Sequence, residues 1–342
     1  MNFENIQPKS VVCRQSSMCD AIACERYWFC RHRLGIILRG EKVKEGATLG
    51  RIYHKFQELG PGHEQEVRAW VQGQQNALME RVNRGEDLDG EMVRLVNLMT
   101  DLYHKAEVMA QIFWEKYPQP SYFKVIGKEI EHTMEWDGLT LGGTIDKLIL
   151  NEQDDSVWIR DHKSTGRSLA MIFGGLAWSL QARMYRVLMV DYTKKYPNEA
   201  INVKGFILDG ILKPGIKQCK TDDKNAKDWN CTQEEAYLRR VKIWYSEKMD
   251  ASILSKSVIF TEPLFPPELI YQLEKMRELQ NRPIEPTAFS RDISRKACFA
   301  YESQCIYHDL CETAPKQWDS LFETKYKFAD VKDDDAQNEE NI

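Results

Sequence analysis

The sequence predicts a mixed α/β protein, with strands concentrated in the middle of the chain and helices on either side. Three observations carry this. Residues 144–150 and 156–163 are rich in β-branched and aromatic side chains, and Asn151 to Asp155 supply the polar turn of a hairpin between them. Residues 64–83 and 91–117 place apolar side chains at helical spacing over long stretches. After a further helical pattern at 168–195, Val203–Leu212 reads as another strand.

The elements follow in order. Ser16-Ser17 caps a helix over 16–34 that contains Cys24-Glu25-Arg26-Tyr27-Trp28-Phe29. A Gly-punctuated break at 35–46 precedes a second helix from about Ala47, carrying Gly50 and His54. The turn-like Asn83–Asp87 separates the two long amphipathic helices, and Pro118-Gln119-Pro120 ends them. Strands then dominate to about Lys163. Residues 213–232 are polar without periodicity and read as a surface loop, before helical patterns at 233–251 and 266–281. The acidic tail from Asp330 is nearly free of large apolar groups and is expected to be disordered. No internal repeat is found. The divisions expected are an N-terminal helical region (1–46), a core (47–212) with a helical insertion at about 64–117, a C-terminal helical part (213–329) and the tail (330–342).

A chain of 342 residues has ample material for a core, in one large domain or two modest ones. Hydrophobic content of 42% and charged content of 29% describe an ordinary globular protein. No apolar run reaches the ~18–20 residues of a membrane span, so no membrane partner is expected. The N-terminus lacks the charged-then-apolar layout of a secretion signal. The expected location is the cytoplasm, or a host cell's cytoplasm for a viral protein. A net charge of −5 argues against a surface coated in basic groups but leaves room for a local positive groove.

Gly142-Gly143-Thr144-Ile145-Asp146 and Ile159-Arg160-Asp161-His162-Lys163 bring two carboxylates and a lysine together on the hairpin. With a side-chain period of two, Asp161 and Lys163 share one face of their strand. An acid-x-Lys triplet alone says little, since Asp222/Lys224, Glu323/Lys325 and Asp330/Lys332 repeat it. The Gly-x-x-Asp strand before this one sets it apart. Mg²⁺ and Mn²⁺ favour oxygen ligands, which Asp146 and Asp161 supply. An imidazole from His54 is tolerable for Mn²⁺, although a single histidine on a helix is usually an ordinary residue. Lys163 can orient a water and offset charge growing on a phosphate. Gln181 and Tyr185, four apart on one helix face, can position nucleic acid or the lysine, or simply pack. Glu129 and His132 lie on the preceding strand. A solvated face is expected there, with Glu129 otherwise reaching a metal through water.

The order helix with His54, strand with Asp146, strand with Asp161 and Lys163, helix with Gln181 resembles the PD-(D/E)XK nuclease superfamily. More narrowly it resembles the RecB-type branch, with the CRISPR-adaptation and AddB-type exonucleases. Gly50-Arg51-Ile52-Tyr53-His54 matches the Gly-x-x-x-His element and Gly143-Thr144-Ile145-Asp146 the acidic strand. Asp161-His162-Lys163 matches D/E-x-K, and Gln181-Ala182-Arg183-Met184-Tyr185 matches Gln-x-x-x-Tyr. One departure is Ile145, where such families often carry proline. The resemblance implies a restriction-endonuclease-like core, a central mixed sheet flanked by helices. It implies Mg²⁺ or Mn²⁺ held by His54, Asp146, Asp161 and the backbone carbonyl of His162. Catalytic roles follow for Asp146, Asp161, Lys163, Gln181 and Tyr185.

Nine cysteines in a reducing compartment are not read as a disulfide framework. Cys298, Cys305 and Cys311 need one distant partner to complete four thiolates, which suit [4Fe–4S] or Zn²⁺. Burial as inert thiols is the alternative. Cys24, chosen over Cys19 or Cys30, stands where RecB-type iron–sulfur nucleases carry their first ligand, and the resemblance favours the cluster. It would staple the start of the chain to its end. The triplet's spacing departs from the Cys-x-x-Cys of several relatives. Tyr27, Trp28, Arg26, Arg31 and Arg33 form an aromatic–basic patch that could bind a single strand, with packing and solvation an equal alternative.

The expected function is a metal-dependent DNA nuclease, an exonuclease on single-stranded or linear ends, in recombination, repair or phage DNA processing. The chain has no Gly-x-x-x-x-Gly-Lys-Ser/Thr loop, so any motor is a partner: a helicase or recombination protein. A homo-oligomer is also compatible. The alternative is an iron–sulfur or zinc-stapled nucleic-acid-binding or assembly subunit with little catalysis. A sequence-specific restriction endonuclease would need a recognition module that is not evident.

Overall fold

The computed structural model describes residues 11–39, 44–85, 87, 90–194, 202–292, 294, 296–299 and 304–329. The acidic tail from Asp330 lies outside them.

Helices α1 (Gln15–Ala23) and α2 (Glu25–Trp28) lead through a π-helical turn, Phe29–Arg33, to strand β1 (Ile36–Leu38). The single helix expected over 16–34 is interrupted at Cys24, which is extended. A distant segment captures the backbone there: Arg26 donates its N–H to the Ser290 carbonyl, and the Glu25 carboxylate accepts from Ser290 and Arg282. Helices α3 (Glu45–Leu59), α4 (Glu64–Asn83) and α5 (Glu91–Lys116) follow. Strands β2 (Phe123–Trp136), β3 (Leu139–Asn151) and β4 (Ser156–Thr165) form a meander that contains the expected hairpin.

The helix expected over 168–195 is broken into α6 (Leu169–Phe173), a 3₁₀ turn at Leu176–Trp178, and α7 (Leu180–Thr193). Gly174-Gly175 breaks it, with Gly175 at φ +72°, a conformation glycine enters without steric cost. Strand β5 (Asn202–Leu212) comes next. Helix α8 (Lys220–Asp228) occupies part of the segment expected to be a loop. It has no apolar stripe to betray it. Asp222 holds it, accepting the Cys219 N–H at 2.7 Å and two bonds from Arg240 at 2.6 and 3.0 Å. Helices α9 (Gln233–Glu247) and α10 (Met249–Ser252) precede β6 (Ile253–Ile259), an edge strand that no sequence pattern singled out. Helices α11 (Pro267–Asn281), α12 (His308–Glu312) and α13 (Trp318–Thr324) and strand β7 (Tyr326–Phe328) complete the described chain.

The main sheet has the order β2-β3-β4-β5-β6, and β4–β5 is its parallel pair. It is the central mixed sheet flanked by helices that the family resemblance implies. Strands β1 and β7 pair antiparallel, Ile37 opposite Lys327, which joins the two ends of the chain. One apolar cluster packs Ile145, Ile159 and Phe206 of the sheet with Leu188 of α7, Leu273 of α11, and Trp28 and Trp318 from the two ends. A second gathers α3, α5 and α9 around Phe56, Phe113 and Tyr245.

The β3–β4 ladder runs from Asn151↔Ser156 only to Lys147↔Arg160. Beyond it, β3 continues with β2 to Leu139 and β4 with β5 to Thr165. The two strands therefore part at Asp146 and Asp161. The departing half of β3 gains a new neighbour: Cys13 donates its N–H to the Thr140 carbonyl at 2.8 Å, and Gly142 donates to the Cys13 carbonyl at 3.1 Å.

Candidate active site

Where β3 leaves β4, the freed backbone must find other partners. The His162 N–H donates to Asp146 Oδ2 at 2.8 Å, so a side chain replaces the missing ladder bond and is itself aimed into the gap. Helix α3 brings His54 Nε2 to 2.7 Å from the same oxygen. Gly50 allows that approach: a Cβ there would meet Lys213 Nζ at 2.9 Å and Ser164 Oγ at 3.0 Å. On β4, Asp161 is fully buried and lies 3.1 Å from Lys163 Nζ, as the strand alternation requires. Helix α7 adds Gln181, whose Nε2 donates to Asp161 Oδ1 at 2.8 Å. Tyr185, one turn on, packs over Gly143, where a Cβ would fall 3.0 Å from its ring.

Glu129 completes the cluster. It faces Asp146 across the β2–β3 pair, adopts φ +45°, and brings a carboxylate oxygen to 3.7 Å from His54 Nδ1. Ligand atoms of His54, Glu129 and Asp146 all lie within 4.8 Å of one another. The solvated face expected for Glu129 is thus corrected. A left-handed, non-glycine residue bends the strand and turns the carboxylate inward, and such conformations cluster at functional sites. Strand periodicity could not reveal it. His132 is buried, paired with Asp191 at 3.0 Å and away from this cluster.

His162 contributes through its backbone. Its ring lies on the opposite face with Arg160, edge-on to Phe113 and with Nδ1 3.2 Å from Asp209 Oδ2. Burial first, then the cations Lys147 and Arg160, hold this imidazole well below its usual pKa, so it is neutral.

The site's electrostatics are mutual. Burial pushes the Asp161 carboxyl up; the Lys163 ammonium opposes this and the Asp146 charge adds to it. Asp146 is equally buried, but His54, Lys163 and the His162 N–H hold it below the usual carboxylate range. His54 is raised to about 9, because Asp146 and Glu129 outweigh its burial. Lys163 is raised above its ordinary value because Asp161 and Asp146 outweigh its burial. The imidazole of His54 with the carboxylates of Glu129 and Asp146 is a donor set for a divalent ion, which would replace the proton on His54, with Asp161 beside it and Lys163 supplying a fixed positive charge.

The cluster opens into a groove of about 1560 Å³. Among the described residues lining it, seven are Lys or Arg and three are carboxylates, so the groove is positive although the chain carries −5. Arg51, Lys55, Arg167 and Lys213 belong to this lining, and isolated cations in the sequence gave no sign of it. Of the aromatic–basic patch, Arg31 reaches the groove, donating to the Tyr27 hydroxyl at 2.7 Å. Trp28 and Arg26 are buried.

The cysteines gather elsewhere. The Cys305 N–H donates to the Cys298 carbonyl at 2.7 Å. The Cys305 thiol is pushed up by burial and by neighbouring Cys24 and Cys298; Cys311 is raised to about 11 by burial, with Cys24 and Cys305 adding. Cys30 is fully buried beside the same group, while Cys19 is exposed and bonded to Gln15.

No helix among the described residues is long and apolar enough to cross a membrane. No curated protein matches the chain. Among solved structures it is similar to a crystal structure from Eubacterium rectale, provisionally described as an exonuclease. The two share 13% identity over 89% of this chain and 94% of that one, with a TM-score of 0.39. The family model of the PD-(D/E)XK nuclease superfamily matches residues 15–312, a span that takes in the parted strands and every acid and base gathered between them. By that match the chain belongs to the PD-(D/E)XK nuclease superfamily.

Proposed function

We propose that the protein is a metal-dependent DNA nuclease acting as an exonuclease on single strands or linear ends. The observation that carries this is the convergence of His54, Glu129, Asp146, Asp161 and Lys163 at the floor of a positive groove. Mg²⁺ or Mn²⁺ held by Asp146, Asp161 and His54, with Glu129 at the rim and the His162 carbonyl alongside, supplies Lewis acidity and a more acidic water. The chain's own groups do the rest. Lys163, kept charged by two carboxylates, orients the attacking water and offsets charge on the phosphate. Gln181 fixes the rotamer of Asp161, and the His162 N–H fixes that of Asp146. Tyr185 keeps its proton, since burial and then the Asp161 charge raise its pKa.

The test is cleavage of end-labelled linear and closed circular DNA with Mn²⁺, Mg²⁺ or a chelator. Linear DNA is expected to be digested, circular DNA spared, and chelator to stop the reaction. Asp161→Ala and Lys163→Ala are each expected to lower the rate at least about 100-fold with folding retained. Undiminished cleavage by either variant would overturn the assignment.

A second part of the reading places the protein in the RecB-type branch, with Cys24, Cys298, Cys305 and Cys311 holding a [4Fe–4S] cluster. Buried Arg26, which feels Cys311, Cys30 and Cys24, supplies positive charge against thiolates. Four thiolates suit zinc or a [4Fe–4S] cluster, and the resemblance to the RecB-type nucleases is what favours the cluster. A helicase or recombination protein would supply unwound DNA, in recombination, repair or phage DNA processing.

A further inference from the structure

We propose that the cavity beside Lys163 seats one unpaired nucleobase, that of a nucleotide flanking the scissile phosphate. The proposal rests on the nuclease reading and adds a subsite to it. The cavity measures about 270 Å³. That is just under the ~300–1,000 Å³ of pockets for drug-sized ligands, which suits a single ring system. Its apolar wall is Ile172, Phe206 and Leu208, and Thr165 and Ser179 add hydroxyls. Lys163, Ser164, Thr165 and Gln181 line both this cavity and the large groove, so it opens off the groove at the lysine that would face the phosphate.

The wall is built and held. The Gly174-Gly175 break stops α6 and starts the 3₁₀ turn that leads into α7, and Ile172 of α6 and Ser179, the N-cap of α7, reach the same cavity. Phe173 lies so close over Gly210 that a Cβ there would fall 2.6 Å from its ring, which pins α6 to β5. The same segment exposes Trp178, at 66% the most exposed large apolar side chain among the described residues, and Met171. Trp178 is not loose. Arg183 lies over its ring at 5.1 Å, and Glu262 holds Arg183 with bonds of 2.8 and 2.9 Å. An indole fixed on one face and open to water, on the residue before Ser179 of the cavity lining, offers a stacking platform for the neighbouring base. A base enters such a cavity only after leaving its stack and its pair, a cost that is least in single strands.

The experiment uses the whole protein and single-stranded oligonucleotides that carry one abasic residue at successive positions from the labelled end. At one position flanking the bond cut, kcat/KM is expected to fall about 10-fold, the size of one lost base-stacking contact. Neighbouring positions should lose little. Ile172→Trp, at a half-buried site on α6, fills the cavity with an indole. It should cut the intact and abasic substrates at equal rates. Equal cutting of every substrate by the parent protein overturns the proposal, as does an unchanged 10-fold preference in Ile172→Trp. Failure of the parent to hydrolyse either the intact strand or bis(p-nitrophenyl) phosphate is a different result. It removes the nuclease reading, and the subsite with it.

Discussion

Asp146 closes a backbone gap and offers charge to the site with the same carboxylate. Its neighbour Lys147 points to the opposite face beside Arg160, where burial, then Arg160 and Lys128, lower its pKa from 10.5 to about 8. Below pH 8 both folded and unfolded chains carry that proton, and the folded one carries it at a cost. Between about 8 and 10.5 the unfolded chain binds more protons, so stability rises with pH. Lys147→Met is therefore expected to stabilise the fold at pH 7 by about 3 kcal/mol. The advantage should shrink as pH approaches 10. Urea midpoints at the two pH values check this, and a gap that does not narrow would refute it. At this scale His54, Asp146, Asp161, Lys163, Gln181 and Tyr185 were legible because each sits at a fixed offset in a short motif. Glu129 was not, because its inward turn depends on a backbone dihedral that composition does not reveal.

Two elements show how close packing constrains the fold. On β5, a Cβ at Gly205 would lie 2.4 Å from the Val258 carbonyl oxygen of β6 and 2.4 Å from the Trp158 ring of β4. A backbone atom cannot step aside as a flexible side chain can. Gly205→Ala is expected to destabilise by about 2–3 kcal/mol, read as a lower urea midpoint. Helix α2 is tied to α11 and the segment after it by Glu25, which accepts from Arg282 at 2.7 Å and from Ser290 at 2.8 and 3.1 Å. Burial alone would raise this carboxyl, yet Ser290 and Arg282 outweigh it and hold the pKa at about 2. The stabilisation is complete above about 4.5, the unfolded value, and is lost as pH falls through about 2. Glu25→Gln should cost about 3 kcal/mol at pH 7 and almost nothing near pH 2, in denaturant titrations at each pH. The long helices α4 and α5 were readable from apolar spacing. Helix α8 was not, because a capping carboxylate and Arg240 hold it, with no apolar face of its own.

Across the whole molecule the two ends of the chain are joined twice, by the β1–β7 pair and by an apolar cluster shared between Trp28, Phe29, Phe289 and Trp318. Cys24, Cys305 and Cys311 lie in that shared region, so a cluster held by them would be a third tie. Cys305→Ser is expected to lose the brown absorption of protein purified without oxygen. It should also unfold at a temperature several degrees lower, as shown by calorimetry beside the visible spectrum. A colourless parent carrying zinc would refute the iron–sulfur assignment.

The sequence alone determined the long helices, the hairpin with its two acids and lysine, and the strand after it, because turn chemistry, side-chain period and motif spacing are local; the mixed sheet followed from the family resemblance. Tertiary structure decided where β3 leaves β4, that Glu129 turns inward, that scattered cations share one groove, and that a glycine pair shapes a cavity beside Lys163. Those features arise from contacts between segments far apart in the chain, and no local pattern records which distant neighbour a residue will meet.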